Sequence, residues 1–340
     1  MNVSDKRALG KSGLEVTVLG FGGVPLGNLY RACTDEEANA TVRAVYDAGI
    51  RLIDTAPLYG FGMSEHRIGA AMREMPRDSW VLSTKIGRVL HAAKDPHKLD
   101  GGNFVKVAPY QPRFDYSYDG VMRSFEDSLH RLATHRIDIL LIHDVDVWTH
   151  GSEEAYRARF KEVMGSGYKA LAELRAAGVV KAIGVGVNEV QVCLDFLRAA
   201  DFDCFLLAGR YTLLEQGALD DLLPECSQRN VSLIIGGPYN SGILATGAMP
   251  GATYNYKPAP PEVMDKVRRI EAVCERHLVP LARAALQFPL GHEQVATMIP
   301  GARSPAEVQQ NADTFAAAVP ADLWAELKHE KLVRADAPTP

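Results

Sequence analysis

The feature that most constrains the fold is a regular alternation of short apolar segments with segments of helical periodicity. Parallel strands are required by this alternation, because each helix must carry the chain back to the start of the next strand. Eight such units predict a closed α/β barrel, the (β/α)8 TIM barrel. The alternative is an open doubly wound sheet, but no Gly-x-Gly-x-x-Gly follows any strand. The predicted strands lie near residues 18, 52, 82, 140, 184, 206, 233 and 297.

Additional elements are predicted at both ends of the barrel. Residues 6–20 have the pattern of a β-hairpin, and two extra helices follow the last strand, over about 304–317 and 321–332. No compositional linker divides the chain, so we expect one domain over 1–340, with a core from about 14 to 317 and a frayed tail at 333–340. Three connections show no clear periodicity and are predicted to be loops at the strand C-termini: 87–116, 144–153 and 236–260.

Composition argues against several classes of partner. The net charge of −5 is spread out without a basic stripe, which argues against nucleic acid. The longest apolar runs, such as Ile137 to Ile142, are too short to span a bilayer, and the first residues lack the apolar core of a signal peptide. The five cysteines form no metal-ligand grouping, so we expect no metal site and reduced thiols in a cytoplasmic protein. The oligomeric state stays open.

Ionisable residues end three consecutive predicted strands: Asp54, Lys85 and His143. Tyr59 follows the first of them in a turn rich in proline and glycine. Each residue alone has an ordinary structural explanation, since a charge at a strand end often caps a loop. Because active groups of such barrels collect at the C-terminal strand ends, we expect these four side chains to meet at one rim.

The set of residues favours proton transfer by Tyr59. A tyrosine titrates near pH 10, and a neighbouring ammonium is expected to lower that pKa. Lys85 can act in this way while Asp54 compensates its charge, and His143 can donate to the oxygen that gains or loses the proton. Two other functions remain open. Lys85 could instead form a Schiff base in a lyase, or the chain could be a cofactor-sensing subunit without turnover.

Over nearly its whole length the chain resembles the aldo-keto reductase superfamily. The resemblance implies Asp54, Tyr59, Lys85 and His143 as a catalytic tetrad, and an extended nicotinamide cofactor that exchanges hydride with a carbonyl or carbinol carbon. It is carried by Gly20-Phe-Gly-Gly23, Asp54-Thr-Ala-Pro-Leu-Tyr-Gly60, Ser83-Thr-Lys85, Ile142-His143, Ile183-Gly-Val185 and Ile299-Pro-Gly301.

The same resemblance implies a set of cofactor contacts. Asn188 stands where the family holds the carboxamide, and glycine stands where an aromatic residue usually stacks on the nicotinamide. Either Tyr239 or Tyr211 is expected to substitute, or the pocket is wider at this point. The loop from Pro238 to Leu244 resembles a pyrophosphate-binding loop. The full set of predicted cofactor residues is Gly22, Gly23, Asn188, Tyr211, Pro238, Tyr239, Asn240, Ser241, Gly242, Leu244, Gly301, Arg303, Glu307, Gln310 and Asn311.

Glu307 favours NAD over NADP. NADP-using relatives commonly carry an arginine at this position, and a carboxylate would repel the 2′-phosphate while accepting hydrogen bonds from a ribose hydroxyl. Arg303 argues for NADP, so both cofactors remain candidates.

The substrate is expected to be a small cyclic hemiacetal. The His143 to Asp146 run and the Gly236 to Gly242 loop resemble the aldose 1-dehydrogenase branch, and pyridoxal 4-dehydrogenase is similar. Both oxidise a hemiacetal to a lactone; a general aldehyde or ketone reductase is the alternative. Trp148 and Tyr110 are the candidate substrate contacts, with Tyr254 and Tyr256 also available for stacking.

Overall fold

The computed structural model describes residues 1–340, which form fourteen strands and thirteen helices. The strands are β1 Lys6–Ala8, β2 Glu15–Thr17, β3 Phe21–Gly22, β4 Leu52–Asp54, β5 Val81–Ile86, β6 Arg88–Ala92, β7 Tyr110–Phe114, β8 Ile139–His143, β9 Ala182–Val187, β10 Cys204–Ala208, β11 Ser232–Gly236, β12 Thr253–Tyr254, β13 Lys257–Pro258 and β14 Val295–Ile299. The helices are α1 Asp35–Asp47, α2 Met63–Met72, α3 Tyr118–Leu132, α4 Val147–His150, α5 Glu153–Glu162, α6 Tyr168–Ala176, α7 Val190–Ala199, α8 Leu222–Arg229, α9 Ile243–Thr246, α10 Pro261–Arg276, α11 Leu281–Gln287, α12 Pro305–Ala316 and α13 Ala321–His329.

The eight predicted barrel strands are present and parallel. They pair in the order β3-β4-β5-β8-β9-β10-β11-β14. Bridges from Leu19 to Met298 and from Gly22 to Gly301 join the two outer strands and close the barrel. The prediction of a (β/α)8 barrel is therefore confirmed. In this order Asp54, Lys85 and His143 end or nearly end three adjacent strands on the same rim.

Helix boundaries follow the capping residues of the sequence. Thr34 and Glu37 form a complete capping box at the start of α1, which satisfies backbone N–H groups that have no partner within the helix. Ser304 caps α12 in a similar way by accepting from Glu307. Helices α5 and α6 are joined by a π-helical turn at Val163–Gly167, where two glycines weaken the helix.

The N-terminal hairpin, β1–β2, closes the end of the barrel opposite the catalytic rim. Leu9 and Val16 are buried in one cluster with inward-facing strand residues such as Leu52 and Leu141. Arg7 connects this hairpin to β14 and to the chain before it by donating to the carbonyls of Val295 (2.7 Å) and Leu290 (2.8 Å). The predicted hairpin is confirmed, and it fills the bottom of the barrel.

The three aperiodic connections are more ordered than the sequence predicted. Residues 87–116 contain the antiparallel hairpin β6–β7, residues 144–153 contain α4, and residues 236–260 contain α9 and the small hairpin β12–β13. These pieces are short and partly exposed, so they leave little hydrophobic periodicity in the sequence.

The prediction of a frayed tail at 333–340 is wrong. Val333 and Ala337 are buried, the backbone N–H of Arg334 donates to Gln216, and its guanidinium pairs with Asp220. Small residues such as Ala337 carry too weak a hydrophobic signal to predict this packing from sequence.

None of the helices combines the length and apolar character needed to cross a membrane. All five cysteines are free thiols, and four of them are buried. No group of three or more His, Cys, Asp or Glu side chains is arranged to hold a metal ion.

Candidate active site

The structure brings the four predicted tetrad residues together at the C-terminal rim of the barrel. Asp54, Lys85 and His143 come from β4, β5 and β8, and Tyr59 comes from the turn after β4. The Lys85 Nζ lies 5.0 Å from the centre of the Tyr59 ring. The His143 and Tyr59 rings meet edge to face with 5.8 Å between their centroids. All four are buried, with at most 8% of any residue exposed.

Asp54 and Lys85 form a buried ion pair beneath Tyr59. The Lys85 Nζ lies 2.6 Å from the Asp54 Oδ2 and also donates to the Thr55 carbonyl at 2.8 Å. The other Asp54 oxygen accepts from the Ser83 hydroxyl at 2.8 Å. Burial raises the pKa of Asp54, while the Lys85 ammonium and these donors act in the opposite direction. Because each charge has a close partner, the pair can persist without water.

The environment of Tyr59 holds its hydroxyl in the protonated form. Burial, followed by the carboxylates of Asp54 and Asp144, raises the pKa of Tyr59 well above its ordinary value. The expected lowering of this pKa by Lys85 is therefore wrong for this arrangement. The physical reason is that Asp54 neutralises the Lys85 charge at 2.6 Å, so that desolvation dominates.

His143 is held as a neutral imidazole. Burial, together with the positive charges of Arg88 and Lys85, lowers its pKa well below the ordinary value of 6.5. A neutral imidazole has one N–H donor and one acceptor nitrogen. The His143 Nε2 lies 3.4 Å from the Asp144 Oδ2.

A cavity of about 760 Å³ opens above these residues. Tyr59, Lys85 and His143 line it, and so do the predicted contacts Asn188 and Trp148. Such a volume suits small-molecule and cofactor sites. The wall also includes residues that the sequence did not single out, among them Val24, Leu29, Arg88, Asn103, Phe104, Gln111, Phe114, Asp144, Leu206 and Ala208.

Aromatic side chains frame the mouth of this cavity. Trp148 of α4 and Tyr256, at the turn between β12 and β13, meet edge to face with centroids 6.3 Å apart. Phe104 lies 6.2 Å from the Tyr59 ring. Tyr110, a predicted substrate contact, does not line the cavity: it pairs with Ala92 at the end of the β6–β7 hairpin, whereas the Arg88–Phe114 pair lies at the rim.

The predicted stacking residues do not reach the cavity. Tyr211 is fully buried against Phe288, with ring centroids 5.5 Å apart, and against His292. Its assignment as a cofactor residue is therefore wrong, because the chain after β10 turns this ring into the core. Tyr239 is also outside the cavity wall, and its hydroxyl donates to Asn311 at 3.0 Å.

The predicted pyrophosphate loop has an unusual backbone. Asn240, Ser241 and Gly242 all have positive φ, at 46°, 63° and 103°. The Asn240 amide donates to the Gly209 carbonyl at 3.0 Å, and its buried Oδ1 has no partner. Non-glycine residues adopt this conformation rarely and mainly where function or surrounding structure requires it.

The remaining predicted cofactor residues gather near the start of α12. Gly22 and Gly301 bridge the barrel seam, and a Cβ on Gly22 would come within 2.8 Å of the Ile299 carbonyl oxygen. The Glu307 carboxylate accepts from the backbone N–H of Arg303 at 2.9 Å. Gln310 and Asn311 occupy the next turn of the same helix.

The sequence did not reveal Arg88 or Asp144 as parts of the site. Their side chains are 2.9 Å apart, and the Arg88 guanidinium stacks on Phe114 at 4.7 Å. Asp144 could have been found from its position directly after His143. Arg88 carried no such signal, because it opens a connection that has no hydrophobic period.

Comparison with known proteins places this arrangement in a family. The sequence model of the family described as "Aldo/keto reductase family" matches residues 18–330. Pyridoxal 4-dehydrogenase of Microbacterium luteolum is 43% identical over 347 residues, covering 98% of this chain and 99% of that protein. D-threo-aldose 1-dehydrogenase of a Pseudomonas species is 40% identical over 341 residues, covering 99% of each.

The fold is also found among solved structures. The holo form of an aldo-keto reductase from Bacillus halodurans has a TM-score of 0.74 and 26% sequence identity, with 98% of each chain covered.

Proposed function

The chain belongs to the aldo-keto reductase family and is an NAD(P)-dependent oxidoreductase, and we propose that it oxidises a cyclic hemiacetal to a lactone. The substrate class is an aldose or pyridoxal. The observation that carries this proposal is the meeting of Tyr59 and His143 over the buried Asp54–Lys85 pair, at the floor of one cavity. The two relatives of at least 40% identity, a pyridoxal and an aldose dehydrogenase, support the substrate class.

The residues around the cavity fit a nicotinamide cofactor, which supplies or accepts the hydride when bound. Asn188 offers an amide to the carboxamide, and Gly186 and Ala208 leave room beside it. We propose the loop from Pro238 to Leu244 for the pyrophosphate. Within this loop the N–H groups of Asn240, Gly242 and Leu244 already donate to the carbonyls of Gly237 and Tyr239. Gly236 has no side chain that could stack on the nicotinamide ring.

Tyr59 performs the proton transfer in this proposal. In the oxidative direction Tyr59 must first lose its own proton to solvent, and the phenolate then takes the proton of the hemiacetal hydroxyl; in the reverse direction the phenol gives its proton to the carbonyl oxygen. His143, neutral and with one N–H, donates to the same substrate oxygen and orients it. The Asp54–Lys85 pair holds a fixed dipole beneath the phenol without adding net charge.

A substitution of Tyr59 tests the assignment. We expect the purified protein with NAD to form lactones from D-threo-aldoses, L-fucose or pyridoxal, detected by mass spectrometry. Tyr59→Phe should reduce kcat by about 10²–10⁴-fold, the usual contribution of a positioned acid or base. Tyr46→Phe is the matched control, because the Tyr46 hydroxyl contacts only Ser79, away from the cavity. Full activity of Tyr59→Phe would contradict the assignment.

Reduction of an aldehyde or ketone is the second candidate function. The raised pKa of Tyr59 favours it, because a phenol that stays protonated at neutral pH is ready to donate. Measuring kcat/KM in both directions at pH 7 decides between the two. A lyase is not supported, because a Schiff base needs a free amine and Lys85 is paired with Asp54 at 2.6 Å.

We further propose that NAD is the preferred cofactor. Glu307 places a carboxylate at the start of α12, where it would repel a 2′-phosphate, while Arg303 lies one turn before it. Glu307→Arg should raise the ratio of kcat/KM for NADP to that for NAD by at least about tenfold. Glu307→Gln is the control that removes the charge without adding a cation. A wild-type enzyme that prefers NADP would refute the proposal.

A further inference from the structure

Two charged side chains lie beside the tetrad and neither gives nor takes the transferred proton in the proposed reaction. Arg88 opens β6 directly after β5, and Asp144 follows His143 at the end of β8. The Arg88 Nη2 lies 2.9 Å from the Asp144 Oδ2, and that oxygen lies 3.4 Å from the His143 Nε2. Both side chains line the active-site cavity and are largely buried, with 7% and 15% of their surfaces exposed.

The backbone holds this pair in place. Asp144 has a φ of 50°, in the left-handed region that few non-glycine residues adopt and that aspartate enters more readily than most. The Tyr116 hydroxyl donates to the His143 carbonyl at 2.8 Å and lies 3.3 Å from the Asp144 carbonyl. On the other side, the Arg88 guanidinium is stacked on Phe114 at 4.7 Å. The pair is therefore fixed before any ligand arrives.

The hydrogen-bonding capacity of the pair is incomplete. The contacts to Arg88 and His143 engage only Oδ2 of Asp144, which leaves Oδ1 to accept. The Arg88 Nη1 is buried and has no acceptor. A buried donor without a partner is destabilising, so its retention beside a cavity calls for an explanation. A hydroxyl group can both donate to a carboxylate and accept from a guanidinium.

Building on the proposed hemiacetal oxidation, we propose that Arg88 and Asp144 recognise a second hydroxyl of the substrate, distinct from the one that is oxidised. Asp144 accepts a hydrogen bond from that hydroxyl, and Arg88 donates a hydrogen bond to the hydroxyl oxygen. The aldoses and pyridoxal share such a hydroxyl. A site built to hydrogen-bond a hydroxyl discriminates strongly against analogues that lack it. The pair thereby selects hydroxylated substrates over simple aldehydes.

The test compares hydroxylated and plain substrates in Asp144→Asn. With its best aldose and NAD, this variant should show a KM raised at least about tenfold, as expected for a lost charged hydrogen bond. Its kcat/KM for propanal reduction carries only the effect of Asp144 on His143 and Tyr59, so the ratio of kcat/KM for the aldose to that for propanal should fall at least about tenfold. Equal losses on both substrates would overturn the proposal, since the pair would then act through His143.

Two further variants separate recognition from folding. Arg88→Met should reproduce the substrate-selective loss of Asp144→Asn. Asp127→Asn is the control, because Asp127 pairs with Arg123 on the surface of α3, 3.6 Å away. If Arg88→Met fails to fold, the nearly isosteric Asp144→Asn decides alone.

A binding measurement distinguishes this inference from the proposed function. Trp148 lines the cavity, so its fluorescence reports the titration of galactono-lactone into the enzyme with NAD. A wild type that binds the lactone, and an Asp144→Asn variant that binds it at least about tenfold more weakly, support the inference even if no sugar is oxidised. Turnover of sugar by the wild type with unchanged lactone binding by Asp144→Asn overturns the inference and leaves the proposed function standing.

Discussion

Tyr59 shows how burial can reverse the effect of a neighbouring charge. Lys85 lies 5.0 Å from its ring, yet the Lys85 charge is offset by Asp54, and burial raises the pKa of the phenol. His143 is shifted in the opposite sense, because burial and two nearby cations lower its pKa. Both groups are therefore neutral around pH 7, and the site begins with a phenol and an imidazole.

The pH dependence of hydride transfer follows from these two shifts. Oxidation needs the Tyr59 phenolate, so its single-turnover rate should rise about tenfold per pH unit from about pH 7 to 10, below the raised pKa. Reduction needs the phenol and should stay flat over the same range. Because the pKa of His143 is lowered, neither profile should show an inflection near 6.5. An oxidation rate independent of pH, measured by stopped flow, would contradict the assignment of Tyr59.

At the scale of single residues, the sequence predicted which side chains form the site better than it predicted how deeply they are buried and how their pKa values shift. Asp54, Lys85 and His143 were predictable because strand ends of a barrel share one rim. The direction of the Tyr59 shift was not, because it depends on how completely the surrounding loops exclude water. Tyr211 was misassigned for a related reason: nothing in the sequence tells whether a residue three positions past a strand faces the cavity or the core.

Among the elements, the β6–β7 hairpin supplies much of one cavity wall without any sequence signal. The β7 residues are half-buried or exposed, and Pro112 interrupts the pattern typical of a strand. The barrel strands and the capped helices were predictable because they bury regular apolar faces and begin at recognisable caps. The hairpin is instead fixed by its contacts, including the Arg88–Asp144 pair and the stacking of Arg88 on Phe114.

The connection after β7 also positions the catalytic strand end, and this can be tested at Tyr116. Its buried hydroxyl donates to the His143 carbonyl at 2.8 Å. Tyr116→Phe should lower kcat roughly 3- to 30-fold, while cofactor affinity stays the same and stability falls by about 1 kcal/mol. Tyr118→Phe removes an exposed hydroxyl bonded to Glu173 and should leave kcat unchanged. Equal kcat values for the two variants would show that the Tyr116 hydroxyl does not position His143 for catalysis.

Across the whole molecule, one end of the barrel carries the candidate active site and the opposite end contributes mainly to stability. The C-terminal rim holds buried charges and left-handed backbone at Asp144, Asn240 and Ser241, features that cost stability. The opposite end is closed by the β1–β2 hairpin, whose Leu9 and Val16 join an apolar cluster inside the strands. The apolar contacts of Leu9 and Val16, far from the cavity, stabilise the fold and compensate for the cost of the left-handed residues at the rim.

This separation predicts a substitution that changes stability without changing catalysis. Leu9 is fully buried in the cluster under the barrel, so Leu9→Ala should lower the free energy of unfolding by about 2–5 kcal/mol in urea titration. Leu278→Ala, at a residue that is 89% exposed, should change it by less than about 0.5 kcal/mol. In both variants kcat/KM should match the wild type at a temperature where the protein stays folded. A fall in kcat/KM for Leu9→Ala would contradict this prediction. It would mean that packing of the hairpin affects the geometry of the catalytic rim through the barrel strands.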